Sequence, residues 1–175
     1  KLISANGPDG NPLLLSTDSK GKTVLENLTT LARAKFHSDV TAAGITPTKV
    51  IGDLVYEIFN PAHFVDQGNR GACAAAAMQD LLCRTQPAEY LRLVTGLFVN
   101  KSVATRDGTL SIADGSLVAA KDPALGQPDL RSHGERIFQS SLLARVSTMG
   151  EYSYKDDSTT LTLPKSLFGN TASSL

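Results

Sequence analysis

The first 22 residues show no apolar period. Asn6-Gly7-Pro8-Asp9-Gly10-Asn11-Pro12 is a run of turn formers that interrupts helix and strand alike, so residues 1–22 are expected as a loop-like lead-in. At Thr23 the pattern changes. Thr23 followed by Glu26 reads as a capping box, and Val24, Leu25, Leu28, Leu31, Ala32 and Phe36 recur at helical spacing, predicting a helix over about 24–36. Thr46-Pro47 opens a second helix with the apolar stripe Val50, Ile51, Leu54, Val55, Ile58, Phe59, ended by Asn60-Pro61. Residues 62–71 are irregular. A small-residue helix is expected from Cys73 to about Arg84, and Gln86-Pro87 restarts a helix with Leu91, Val94, Leu97 and Phe98 on its buried side.

The period then shortens. Val103, Thr105, Thr109 and Leu110 flank Arg106-Asp107-Gly108, and a second turn sits at Asp114-Gly115, which predicts one or two short hairpins. A Pro/Gly/Asp stretch over 121–130 reads as loop. Ser132 and Glu135 form another capping box ahead of Ile137, Phe138, Leu142, Leu143 and Val146, predicting a helix to about Ser147. Beyond Gly150 the chain is polar. Thr160 to Leu163 has the composition of a short strand, and the Tyr152, Tyr154, Asp156, Asp157 cluster reads as a solvated turn. Helices with short hairpins give an α+β class, with 23–175 as one domain after the lead-in.

Composition narrows the function. Of 175 residues, 41% are hydrophobic and 19% charged, ordinary values for a folded domain. Seventeen Lys plus Arg balance seventeen Asp plus Glu and are scattered, so no nucleic-acid or membrane-surface footprint is expected. No apolar run is long enough to span a bilayer. The chain starts at Lys1 and reads as a processed piece, so its compartment is not legible. The sequons at Asn27 and Asn100 occur easily by chance.

The two cysteines, Cys73 and Cys83, have no metal-ligand neighbours at usable spacing, so neither zinc nor another cofactor is expected. On one helix they would stand about 15 Å apart, beyond disulfide reach. Their settings differ. Cys73 opens a helix, where unpaired N–H groups and the helix dipole favour a thiolate. The glycines at 68 and 71 allow close backbone approach before it. Ala74-Ala75-Ala76-Ala77 suits a buried helix whose reactive end meets a cleft. Cys83 lacks such support and reads as core.

The block Asp66-Gln67-Gly68-Asn69-Arg70-Gly71-Ala72-Cys73 resembles the Gln-Gly-x-x-Gly-x-Cys signature of papain-like cysteine peptidases. The resemblance implies that Cys73 is the nucleophile and that Gln67, six residues earlier, donates with the Cys73 N–H to the oxyanion. The segment from Arg131 to Leu143, followed by Tyr152, is similar to the helix that calpain-type members place between nucleophile and catalytic His. The implied fold is the papain-like one, predominantly its helical lobe. The implied activity is peptide or isopeptide hydrolysis through an acyl-enzyme, in a larger secreted or toxin-like bacterial protein. Ala74 stands where the family usually carries an aromatic residue.

The family's base is a His downstream of the Cys, oriented by Asn or Asp. After Cys73 the chain has only His133, in the first turn of a capped helix and expected to be exposed. His63 precedes the nucleophile, the wrong order for the family. His37 reads as a cation at the C-terminus of the first helix. Asp66, Asn69 and Arg70 are expected to shape the loop or cleft rim. The expectation is therefore a base supplied after Leu175 or by a second chain, with a protein or peptide as substrate. A transglutaminase or deamidase would use the same Cys, and a papain-like binding or assembly module without catalysis is the alternative from another class.

Overall fold

The computed structural model describes residues 5–7, 10, 12–68, 71–119 and 129–147. Helices dominate them: α1 (Val24–Arg33), α2 (Ser38–Ala42), α3 (Pro47–Phe59), α4 (Pro61–Phe64), α5 (Cys73–Thr85), α6 (Pro87–Asn100) and α7 (His133–Val146). Strands β1 (Ser102–Thr105) and β2 (Gly108–Ser111) form an antiparallel pair in which Val103 faces Leu110. This is an α+β arrangement with a small sheet.

The sequence signals that start these helices are present as physical contacts. Thr23 Oγ1 accepts the Glu26 N–H at 3.1 Å while Glu26 Oε2 accepts the Thr23 N–H at 2.8 Å, and Ser132 and Glu135 exchange the same pair of bonds at the start of α7. Each such box satisfies two otherwise unpaired amides. Proline opens α3, α4 and α6, where its missing N–H is no loss. Helix α4 is a short turn inside the stretch expected to be irregular.

Two expectations are corrected, and of the one or two hairpins expected one forms among the described residues. Helix α1 ends at Arg33 rather than 36, because Ala34 turns to extended backbone (φ −68°, ψ 138°). That turn lets Phe36 stack on Phe98, ring centroids 4.9 Å apart. His37 consequently caps the start of α2, its Nδ1 accepting the Asp39 N–H at 3.2 Å, and does not stand in the last turn of α1. The second turn, near Asp114-Gly115, makes no hairpin: Ser116 folds back with its N–H on the Ala113 carbonyl at 3.1 Å.

The apolar core joins Val24 and Leu31 of α1, Val50, Leu54 and Ile58 of α3, and Leu91, Val94, Leu97 and Phe98 of α6, all buried. Helices α6 and α7 run through the interior, and α5 packs against α3, α4, α6 and α7. The lead-in is not loose where it is described. Leu13 is buried, and Asp18 accepts bonds from the Lys20 and Lys22 amides and from Asn27 of α1.

A second interior is polar. Glu57 of α3, Gln79 of α5, Tyr90 of α6 and Gln139 of α7 are all buried and bonded to one another. Gln79 Nε2 donates to Glu57 Oε2 at 3.1 Å and to Tyr90 Oη at 2.8 Å, Tyr90 Oη donates to Glu57 Oε2, and Gln139 Nε2 donates to Gln79 Oε1 at 2.8 Å. Ser132 Oγ completes the set on Glu57 Oε1 at 2.8 Å. Buried polar groups are tolerated when satisfied in this way.

Candidate functional site

Helix α5 places its two cysteines in opposite surroundings. Cys73 is its first residue and is exposed, whereas Cys83 is buried, and both are free thiols. Burial, with the nearby Glu57 and Asp80 carboxylates, pushes the Cys83 thiol far up, so it is inert core, as the sequence reading has it. The helix is only half buried: Ala75, Gln79 and Cys83 face inward, while Ala74, Ala77, Met78 and Leu81 are exposed. The expectation of a buried helix with its reactive end at a cleft is corrected to a helix with a single inward face and an exposed start. Ala72, at the N-cap, offers no side-chain bond to the first turn, and no acidic residue lies there.

Gln67 comes to the same place. An open depression of about 440 Å³ is lined by Asp66, Gln67 and Cys73, by Pro61, Ala62 and Val65 on one side, and by Ala76, Ala77, Asp80 and Arg84 along α5. Gln67 is exposed, and its side chain makes no hydrogen bond among the described residues, which leaves its amide free toward the depression. Asp80 and Arg84 in this lining form an ion pair at 2.7 Å.

The backbone around Gln67 is held tightly. Gly68 adopts φ +60°, its N–H bonded to Asp66 Oδ1 at 2.9 Å. A Cβ on Gly68 would meet Arg131 Cγ at 3.2 Å, so glycine is needed here for both conformation and room. Asp66 therefore shapes the loop, as expected. Arg131 is itself fixed by Asp129 in a fully buried ion pair at 2.8 Å and by Gln139 Oε1 at 3.1 Å. Asn69 and Arg70 lie outside the described residues, as do Tyr152, Tyr154, Asp156 and Asp157.

None of the three histidines lines the depression. His133 is half-buried rather than exposed, with Nδ1 2.9 Å from Arg136 Nη2. Burial and the charges of Arg136 and Lys49 hold its pKa below the ordinary value. His63, on α4, is exposed and packs edge-on against Phe64 at 4.9 Å, and His37 caps α2. Among the described residues no group of His, Cys, Asp and Glu could hold a metal ion, and no helix is long and apolar enough to cross a membrane.

Sequence reasoning missed the side chains behind the loop. Glu135 and Gln139 carry no catalytic motif of their own, and a capping box explains the first without reference to any site. Their partners are 69 and 73 residues away in sequence, which no local pattern can register. No protein-family model, no curated protein and no solved structure matches this chain.

Proposed function

We propose that Cys73 is the nucleophile of a papain-like cysteine peptidase acting on peptide or isopeptide bonds, with Gln67 and the Cys73 N–H as oxyanion donors. The observation that carries this reading is that Cys73, exposed at the first position of α5, and Gln67, with a free side-chain amide, line one depression. In this chemistry the thiolate attacks the carbonyl carbon, and the carbonyl oxygen takes up negative charge between the two donors. The C–N bond then breaks, the amine leaves with the proton taken from the thiol, and water releases the acyl group. The base that carries that proton comes from outside the described residues or from a second chain. The resemblance that motivates the reading also implies a secreted or delivered bacterial protein.

The same acyl-enzyme gives transamidation or deamidation when an amine or a glutamine side chain takes part. A non-catalytic binding module is favoured by one observation, the absence of a histidine from the described lining of the depression. A fluorogenic peptide and a protein substrate, assayed with the chain alone and with its full-length parent, test the proposal. Turnover lost in Cys73→Ala and lowered about 10²–10³-fold in Gln67→Ala is expected. Turnover that survives Cys73→Ala overturns it, as does peptide binding without turnover by the parent. Turnover by the isolated chain that disappears in His133→Ala overturns the assignment of the base.

A further inference from the structure

The loop that carries Gln67 is held from behind by one helix. Glu135 Oε1 accepts the Asp66 N–H at 2.6 Å, while its other oxygen accepts the Ser132 N–H at 2.6 Å. Gln139 Nε2 donates to the Asp66 carbonyl at 2.8 Å. Residues four apart stand one above the other on a helix, so Glu135 and Gln139 hold both backbone polar groups of the residue before Gln67. Gln139 does more. Its Nε2 also donates to Gln79 Oε1 at 2.8 Å, and Gln79 lies on α5 downstream of Cys73. One amide thus ties the helix bearing the thiol to the loop bearing the oxyanion donor.

We propose that Glu135 and Gln139 are positioning residues that set Gln67 relative to Cys73. The inference rests on the reading of Cys73 as nucleophile and Gln67 as oxyanion donor. A carboxylate that serves two amides has no spare oxygen, so Glu135→Gln leaves one of them facing an N–H group and releases either the loop or the cap of α7. Gln139→Leu removes the ties to Asp66, to Gln79 and to Arg131 together. Ser132→Ala is the control, because it removes the cap hydroxyl and the Glu57 contact while leaving the Glu135–Asp66 bond in place.

The test uses a peptide aldehyde, which needs no departing amine. The Cys73 sulfur adds to the aldehyde carbon, the C=O electron pair moves to oxygen, and the thiol proton passes to that oxygen through solvent, giving a hemithioacetal that oxyanion donors stabilise. Iodoacetamide alkylation involves no oxyanion and reports the thiol alone. Aldehyde affinity, read as protection of Cys73 from alkylation, is expected to fall about tenfold or more in Gln67→Ala and about fivefold or more in Glu135→Gln and Gln139→Leu. Alkylation without aldehyde, and aldehyde affinity in Ser132→Ala, should stay within about twofold of wild type. Amide exchange at Asp66 should quicken in Glu135→Gln, which carries the test alone where Gln139→Leu does not fold. Unchanged aldehyde affinity in both α7 variants, with weakened affinity in Gln67→Ala, overturns the positioning role only. Failure of the wild type to capture the aldehyde, or no effect of Gln67→Ala, overturns the nucleophile and oxyanion assignment and the positioning role with it.

Discussion

Gln79 on α5 donates its amide to the Glu57 carboxylate on α3 at 3.1 Å, and neither side chain reaches solvent. A carboxylate in such a place titrates high: burial pushes Glu57 up to about 7, although Tyr90 and Ser132 donate to it. Between the unfolded value of 4.5 and about 7, the folded protein keeps a proton that the unfolded chain has released, so rising pH favours unfolding. The contribution is present in full below the unfolded value and is lost as pH rises through the folded one. At about 1.4 kcal/mol per unit, it amounts to roughly 3 kcal/mol. Glu135 and Asp53, also raised by burial, act in the same direction. Two groups act oppositely. Burial resists the ionisation of Glu89, but bonds from Arg92 and Ser19 bring it to about 2, so its effect falls in acid. His133, lowered by burial and by Arg136 and Lys49, offsets part of the decline as pH rises toward its ordinary value. Urea midpoints should decline from pH 5 to pH 8, and Glu57→Gln should flatten most of that slope. A wild-type slope unchanged by Glu57→Gln would remove Glu57 as its source.

The Asp129–Arg131 pair is a buried ion pair that, beside Glu135, supports the Gln67 loop. Separating such a pair leaves a charge in low dielectric, typically a loss of 3–5 kcal/mol, whereas replacing both partners is far milder. Arg131→Leu should lower stability by about 3 kcal/mol. Asp129→Asn with Arg131→Leu should lose less than the sum of the single variants, by about 1–3 kcal/mol of coupling. Urea unfolding of the four proteins measures this, and strict additivity would mean that the pair stabilises nothing as a pair.

Much of the frame was legible in the chain because its signals are local. The capping boxes at Thr23 and Ser132, the prolines at 47 and 87 and the stripe Leu91, Val94, Leu97, Phe98 all mark what they predict. Helix α7 shows where this ends. Its stripe predicts Val146 inside, yet Val146 is 66% exposed, while Arg136, Gln139, Ser140 and Ser141 are buried. Ser140 and Ser141 are satisfied by the carbonyls of Arg136 and Ile137 one turn back, while Gln139 and Arg136 are compensated by distant partners, Gln79 and the Ser116 carbonyl, and hydrophobic periodicity cannot count such bonds. The candidate site divides the same way. The spacing of Gln67 and Cys73 brings them to one depression, but the grip of Glu135 and Gln139 on Asp66 is a tertiary fact.

Gly96 shows packing with no slack. A Cβ there would stand 2.6 Å from Val103 Cγ2 and 2.7 Å from Val103 Cβ, so α6 and β1 approach only because the side chain is absent. Inserting a methyl into such a contact typically loses 1–3 kcal/mol. Gly96→Ala should therefore lower the melting temperature, and adding Val103→Gly, which removes both clashing atoms, should recover part of the loss even though that change alone is destabilising. Two variants whose losses simply add would show that the contact is not the cause.

The cysteines offer a measurement that depends only on where α5 puts them. Cys73 is exposed at its start, while Cys83 is buried beneath α3 and α6 and shifted away from the thiolate by burial and by Glu57 and Asp80. An alkylating agent needs both access and thiolate, so the native protein should take up one label, mapped to Cys73, and the second only in denaturant. Cys73→Ala should abolish native labelling and change stability by no more than about 0.5 kcal/mol, as surface changes do. Cys83→Ala should leave labelling intact and lose about 1 kcal/mol or more through the cavity it opens. Native labelling at both thiols, at comparable rates, would mean that α5 opens far more readily than its packing against α3, α6 and α7 implies.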